Sequence, residues 1–211
     1  MKAPRRQRYT MRARADAVAA TRERTARAML KLALAQRYED ITLVAIARAA
    51  GVSHQTVLNH FHSKEGVAAA AAEVLARETA EARARARPGD VAGAIRVLVS
   101  EYERIGDANA RWAISADRLG SLALLLDEAR AGHQAWLQQV FAGGLPKAPE
   151  ARRRAIVALH AATDVYTWKL LRRDLRLSRQ ETERAMADLV DGVLRGRSAR
   201  GRAASGGGSR R

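Results

Sequence analysis

Residues 51–66, GVSHQTVLNHFHSKEG, gather three of the five histidines in the chain, two serines, a Gln and an Asn, with little charge among them. Side chains of these types can ligate a metal, pair as nucleophile and base, or exchange hydrogen bonds with a partner. Metal ligation is poorly served. His54, His60 and His62 stand six and two residues apart with no HExxH, and Glu65 is the nearest carboxylate. Hydrolysis fares no better, because Ser53 and Ser63 precede helical segments as caps and neither sits in a nucleophile elbow. The glycine run at 206–208 lacks the strand and helix of a phosphate loop. No catalytic residue, metal site or cofactor is expected, which leaves hydrogen bonding to a partner as the chemistry of this stretch.

The elements that position it are helices. Alanine, arginine, leucine and glutamate dominate, proline numbers four and Phe, Trp and Tyr together nine, so an all-α fold is expected. Thr21 can cap a first helix to about Gln36. Thr42 caps LVAIARAA, which Gly51 closes, and Ser53 opens a third helix ending at His60-Phe61-His62. Ser63 caps a long fourth helix that Pro88-Gly89 breaks near Arg87. Further helices are expected from Asp90 with Val91, Ile95, Leu98, Val99, Tyr102 and Ile105 on one side, then over about 108–118, 121–142, 150–173 and 179–195. The last begins with the capping box Ser178-Arg179-Gln180-Glu181.

Ala47, Gly51 and Val57 each suit a helix-turn-helix. Ala47 lets two helices approach, Gly51 takes a left-handed turn at low cost, and Val57 fills the space between the helices. That bend projects the helix after Ser53, whose outward face carries His54, Gln55, Thr56, Asn59 and His60, short polar groups able to bond base edges in a DNA groove. Gln55 and Asn59 have the amide geometry suited to adenine, and no arginine lies on this helix, so weight on A·T pairs or water-mediated readout is expected. His60 has a second reading, as a helix-end residue bonding a neighbouring carbonyl or a phosphate. Phe61 belongs to the core with Ile46, Val57 and Leu58.

Charge agrees with a polyanionic partner. The formal net charge is +16, and residues 1–20 (six basic, one acidic) and 196–211 (five basic) carry +5 each. Both ends lack periodic apolar residues and read as flexible basic segments, 1–20 an arm and 196–211 a disordered tail; they are either solvated tails or contacts to DNA phosphates. Cysteine is absent and no apolar run has the length of a membrane span, so a cytoplasmic protein without a membrane partner is expected. Between the ends, 21–66 reads as a DNA-binding domain and 67–195 as a helical ligand-binding and dimerisation domain. In the latter, Tyr102, Trp112, His133, Trp136 and Tyr166 carry polar tips on apolar bodies, which suits either core packing or a mostly apolar pocket for a lipophilic effector. Ile156, Leu159, Thr163, Tyr166 and Leu170 form one stripe, and Met186, Leu189, Val190, Val193 and Leu194 another. Each can bury against its own subunit or build a symmetric interface.

The run Thr42-Leu43-x-x-Ile46-Ala47-x-x-Ala50-Gly51-Val52-Ser53-x-x-Thr56-x-x-x-His60-Phe61-x-Ser63-Lys64-Glu65 resembles the N-terminal signature of the TetR family of transcriptional regulators over about 45 residues from Thr21. The resemblance implies an N-terminal three-helix DNA-binding unit with a helix-turn-helix, linked by a long helix to a C-terminal helical-bundle regulatory domain. It also implies a homodimer through the last two helices, in which Thr42 and Lys64 grip phosphates; with Ser53, His54, Gln55, Thr56, Asn59 and His60 these make up the expected DNA-binding set. The expected function is a repressor released from a near-palindromic operator by a small effector; an effector-independent regulator or activator with a filled core is the alternative. Two positions depart from the family pattern: Leu58 replaces a tyrosine that touches a phosphate, and Gln36-Arg37-Tyr38 replaces the glycine that ends the first helix.

Overall fold

Residues that lose little rotamer freedom in a helix make this chain helical wherever caps and breakers permit. The computed structural model describes the backbone of residues 5–116 and 120–205 and the side chains of 11–116 and 122–195. Its helices are α1 (Arg5–Ala35), α2 (Leu43–Ala50), α3 (His54–Phe61), α4 (Lys64–Arg83), α5 (Val91–Ala116), α6 (Gly120–Val140), α7 (Pro149–Thr163), α8 (Val165–Lys169) and α9 (Arg179–Ser205). A 3-10 turn over Ala142–Gly144 follows α6, and a π turn over Leu170–Asp174 follows α8. Among the described residues there is no strand, and no helix is long and apolar enough to cross a membrane.

Two compact units result, one of residues 1–78 and 114–125, the other of 79–113 and 126–211. The division between them falls at Glu78/Thr79 within α4, whose Val67, Ala68, Ala71 and Val74 bury one face of the helix in the first unit. Ala26, Met29 and Ala33 on α1, Ile46, Ala47 and Ala50 on α2, and Val57 and Phe61 on α3 are buried in the same unit. Leu58, expected beside Phe61 in the core, is only half-buried.

Several boundaries differ from the sequence reading. α1 begins at Arg5, so most of the stretch expected to be a flexible arm is helical, with every residue of 11–20 exposed. A helix already nucleated by a buried face propagates into Ala- and Arg-rich sequence without needing apolar periodicity there. Thr21 is therefore mid-helix, its hydroxyl donating to the Ala17 carbonyl at 2.9 Å. At the other end α9 extends to Ser205, through most of the expected tail; the start of the expected arm (1–4) and the glycine run at 206–208 lie outside the described residues. The separate helix expected over 108–118 is instead the end of α5, where Ala108, Ala110, Ala113 and Ala116 continue its buried stripe.

In the second unit α5 supplies Ile95, Leu98, Val99 and Tyr102 to a core completed by Leu137 and Val140 of α6, Ile156 and Leu159 of α7, Trp168 of α8, and Met186 and Val190 of α9. The single helix expected over 150–173 is interrupted at Asp164, whose backbone turns extended (ψ 152°) while its carboxylate accepts the Tyr166 N–H at 2.8 Å. An Asp at this place restarts the helix as its own N-cap. The Ser178–Glu181 capping box forms as expected, with Ser178 N–H to Glu181 at 2.8 Å and Glu181 N–H to Ser178 Oγ at 3.2 Å.

Candidate nucleic-acid interface

Three local devices aim α3. Thr42 Oγ1 accepts the Ala45 N–H at 3.1 Å and starts α2. Gly51 ends α2 in the left-handed conformation (φ 66°, ψ 39°), where a side chain would meet open space but strained backbone. Ser53 Oγ then accepts the Thr56 N–H at 3.0 Å and starts α3. Val57 and Phe61 turn inward, which leaves His54, Gln55 and Asn59 exposed and Thr56 and His60 half-exposed.

Gln55 and Asn59, one helical turn apart, are joined by a 2.8 Å bond from Gln55 Nε2 to Asn59 Oδ1. That bond leaves the Gln55 carbonyl oxygen and the Asn59 amide hydrogens uncommitted, an acceptor and a donor side by side. Ser53 and Thr56 share a 2.8 Å hydroxyl contact in addition to the cap. His60 is engaged through its backbone: the carbonyl accepts from the Arg22 guanidinium, which also lies 4.5 Å from the centre of the Phe61 ring. Arg22, which sequence reasoning passed over, thereby ties α1 to the C-terminal end of α3.

Lys64 opens α4, and its ammonium donates to the Tyr38 carbonyl at 3.0 Å and lies 4.2 Å from the centre of the Tyr38 ring. The Tyr38 hydroxyl donates to Glu65 at 3.0 Å. Burial, then this bond, push the phenol above its usual range, while its own backbone N–H and the Ser63 hydroxyl hold the Glu65 carboxyl below its usual range. Buried Tyr38 thus closes the turn after α1 in which the glycine is missing. Gly66 is a second residue the sequence reading missed: a Cβ there would lie 2.1 Å from the Phe61 carbonyl oxygen, so only glycine lets α4 start this close to the end of α3.

Residues 28–71 match the family model described as bacterial regulatory proteins, tetR family. Those residues thus carry the N-terminal domain of that family. Solved structures similar to it include a transcriptional regulator from Rhodococcus sp. Rha1, 24% identical, with a TM-score of 0.63 over 83% of this chain and 96% of that one. A tetR-family transcriptional regulator from Streptomyces coelicolor is 18% identical, with a TM-score of 0.63 over 82% of this chain and 78% of that one. These two likenesses establish the fold. No curated protein matches the sequence significantly.

The candidate effector residues of the second unit fall into two sets. Tyr102, His133 and Trp136 come together around Arg83, the last residue of α4. Arg83 donates to both oxygens of Glu101, from Nε at 2.8 Å and from Nη2 at 3.0 Å, and its Nη1 lies 3.0 Å from His133 Nδ1. Arginine only donates, so Nδ1 is an acceptor and Nε2 carries the proton toward Thr163 Oγ1 at 2.9 Å; Thr163 in turn donates to the Leu159 carbonyl at 2.7 Å. Burial, with the Arg83 charge adding to it, pushes the His133 pKa down to about 3. The Tyr102 hydroxyl donates to the Thr163 carbonyl at 3.0 Å, and burial raises its pKa. Trp136 Nε1 faces the Arg83 carbonyl at 3.4 Å, with the guanidinium 5.1 Å from its ring centre. The His160 ring stands 4.9 Å from that of His133 and bonds Asp164 at 3.3 Å. Trp112 is half-buried on α5 and Tyr166 is exposed on α8. Arg83, Glu101, Thr163 and His160 were not among the sequence candidates.

Proposed function

We propose that this protein is a homodimeric repressor of the TetR family that reads a near-palindromic operator with α3. The observation that carries the reading is the outward Gln55–Asn59 amide pair on a helix whose inner face is buried, since its acceptor and donor match the N6 amino group and N7 of adenine. His54, Thr56 and His60 extend this face, Ser53 stands at its start, and Thr42 and Lys64 hold flanking phosphates at helix N-termini. Apolar residues left exposed near the chain's end support dimerisation: Val157 (59% exposed), Tyr166 (45%), Leu170 (50%) and Leu189 (48%) alternate with buried neighbours on the last helices. Two copies place two recognition helices about one turn of DNA, roughly 34 Å, apart.

Selection of duplexes from a random pool tests the reading. A palindrome should emerge, and Gln55→Ala or Asn59→Ala should each cost about 1–3 kcal/mol at one base pair per half-site while leaving other positions unchanged. Recovery of no sequence, or a consensus indifferent to both substitutions, would refute it.

Release by a small lipophilic effector is part of the proposal, with Tyr102, Trp112, His133, Trp136 and Tyr166 the residues to vary. One observation favours the second reading, a regulator without effector: the polar tips of Tyr102, His133 and Trp136 are already bonded within the protein. Quenching of tryptophan fluorescence by a compound that also lowers operator affinity decides for the effector; a full library without such a compound decides against it.

A further inference from the structure

Lys64, the first residue of α4, is held in place by groups that carry no charge. Its ammonium donates to the Tyr38 carbonyl at 3.0 Å and stands 4.2 Å from the centre of the same residue's ring. The cations that brace α1 against α4 are held otherwise: Arg27 pairs with Glu23 and Glu78, and Arg77 with Glu23. A carboxylate cancels the charge of the group it holds, whereas a carbonyl and an aromatic face leave a net positive charge for a further partner. One ammonium hydrogen goes to the carbonyl and one side of the group faces the ring, which leaves a donor directed away from both.

Tyr38 is itself fixed, so it can serve as a mount. It is 2% exposed, its carbonyl also accepts the Ile41 N–H at 3.2 Å, and its hydroxyl donates to Glu65 at 3.0 Å. That last bond supplies the carboxylate beside Lys64 with a donor other than the ammonium. A free lysine gives up rotamer freedom when it takes hold of an anion; one already held against a fixed ring has given up part of it beforehand. Lys64 is half-buried and stands at a helix N-terminus, where N–H groups without helical acceptors also favour an anion.

We propose that Tyr38 is a positioning residue for DNA binding, whose ring and carbonyl preset the Lys64 ammonium for one backbone phosphate. The proposal rests on the reading of Lys64 as a phosphate contact and names what gives that contact its geometry. Two measurements on the full chain test it. The first is carbon relaxation at the lysine Cε atoms without DNA. Lys64, assigned through its absence in Lys64→Met, should be more ordered than the exposed Lys31 and Lys147, with its Cε protons shifted upfield by the ring.

The second is a cycle of affinities for a mixed-sequence duplex. Lys64→Met should flatten the slope of log affinity against log salt by about 0.9 per chain. Tyr38→Leu should weaken binding roughly two- to tenfold in the wild-type background and leave it unchanged in Lys64→Met, while Tyr38→Phe, which keeps the ring, binds as wild type does. A Lys64 as mobile as Lys31 in the free protein would overturn the proposal, a result that stands even if Tyr38→Leu does not fold. An equal loss from Tyr38→Leu in both backgrounds would overturn it too, since that marks a structural role alone. A salt slope that Lys64→Met leaves unaltered would take down the phosphate reading of Lys64 itself, and the role of Tyr38 with it.

Discussion

Protonation of His133 should destabilise the second unit on a schedule set by its neighbours. Its Nδ1 accepts from Arg83, a permanent cation, and its Nε2–H is spent on Thr163, so a second ring proton has no acceptor and sits beside a like charge. With the folded pKa at about 3, against about 6.5 in the unfolded chain, the unfolded state binds more protons throughout that interval. Stability from this group is therefore complete above about pH 6.5 and is lost progressively as the pH falls toward 3. One proton taken up on unfolding over 1.5 pH units below 6.5 amounts to about 2 kcal/mol lost by pH 5, as an order of magnitude. Urea denaturation of wild type and His133→Gln at pH 7.5 and pH 5 measures it, because titrations common to both chains cancel in the difference. His133→Gln is expected to lose about 2 kcal/mol less than wild type over that range. Parallel pH dependences would show that His133 is not held neutral by Arg83 and Thr163, and the hydrogen-bond directions assigned to the cluster would be wrong.

Removing one member of the buried Arg83–Glu101 pair, as in Arg83→Met, should cost about 3–5 kcal/mol, whereas Arg83→Met with Glu101→Leu should recover most of it; thermal and urea unfolding compare the two. Gly66→Ala should destabilise the first unit by about 1–3 kcal/mol because the methyl meets the Phe61 carbonyl, while Gly51→Ala should cost about 1 kcal/mol from backbone strain alone, both read by urea titration. Lys64→Ala should weaken binding to all duplexes alike and flatten the salt slope by about 1 per chain, whereas Tyr38→Phe, which removes only the bond to Glu65, should leave that slope unchanged.

What the sequence disclosed were features governed by neighbours a few residues apart. The caps at Thr42, Ser53 and Ser178, the turn at Gly51 and the polar outer face of α3 all obey local rules, and each was placed correctly. The length of α1 was hidden because charge without periodicity suits a solvated arm and a propagated helix equally. The Asp164 break was hidden inside an apolar rhythm that runs on from Leu159 to Leu170. The bonding of Arg83, Glu101, His133 and Thr163 was illegible for a different reason, although His133 itself was a candidate. Their bonds join residues 18, 50 and 30 positions apart, and a buried ion pair leaves no periodic trace in either of the helices that supply it. Tyr38 and Gly66 belong with them, since the fit of one turn against another is a property of three dimensions.

The interruption between α7 and α8 determines who may use one oxygen. An unbroken helix through Asp164 would commit the Thr163 carbonyl to the amide four residues on. Because the ladder stops there, that carbonyl is open to the Tyr102 hydroxyl arriving from α5. Losing the tyrosine would therefore strand a buried acceptor that no helical amide satisfies. Sequence changes at 102 and 164 should accordingly be felt as one change, however far apart they are written.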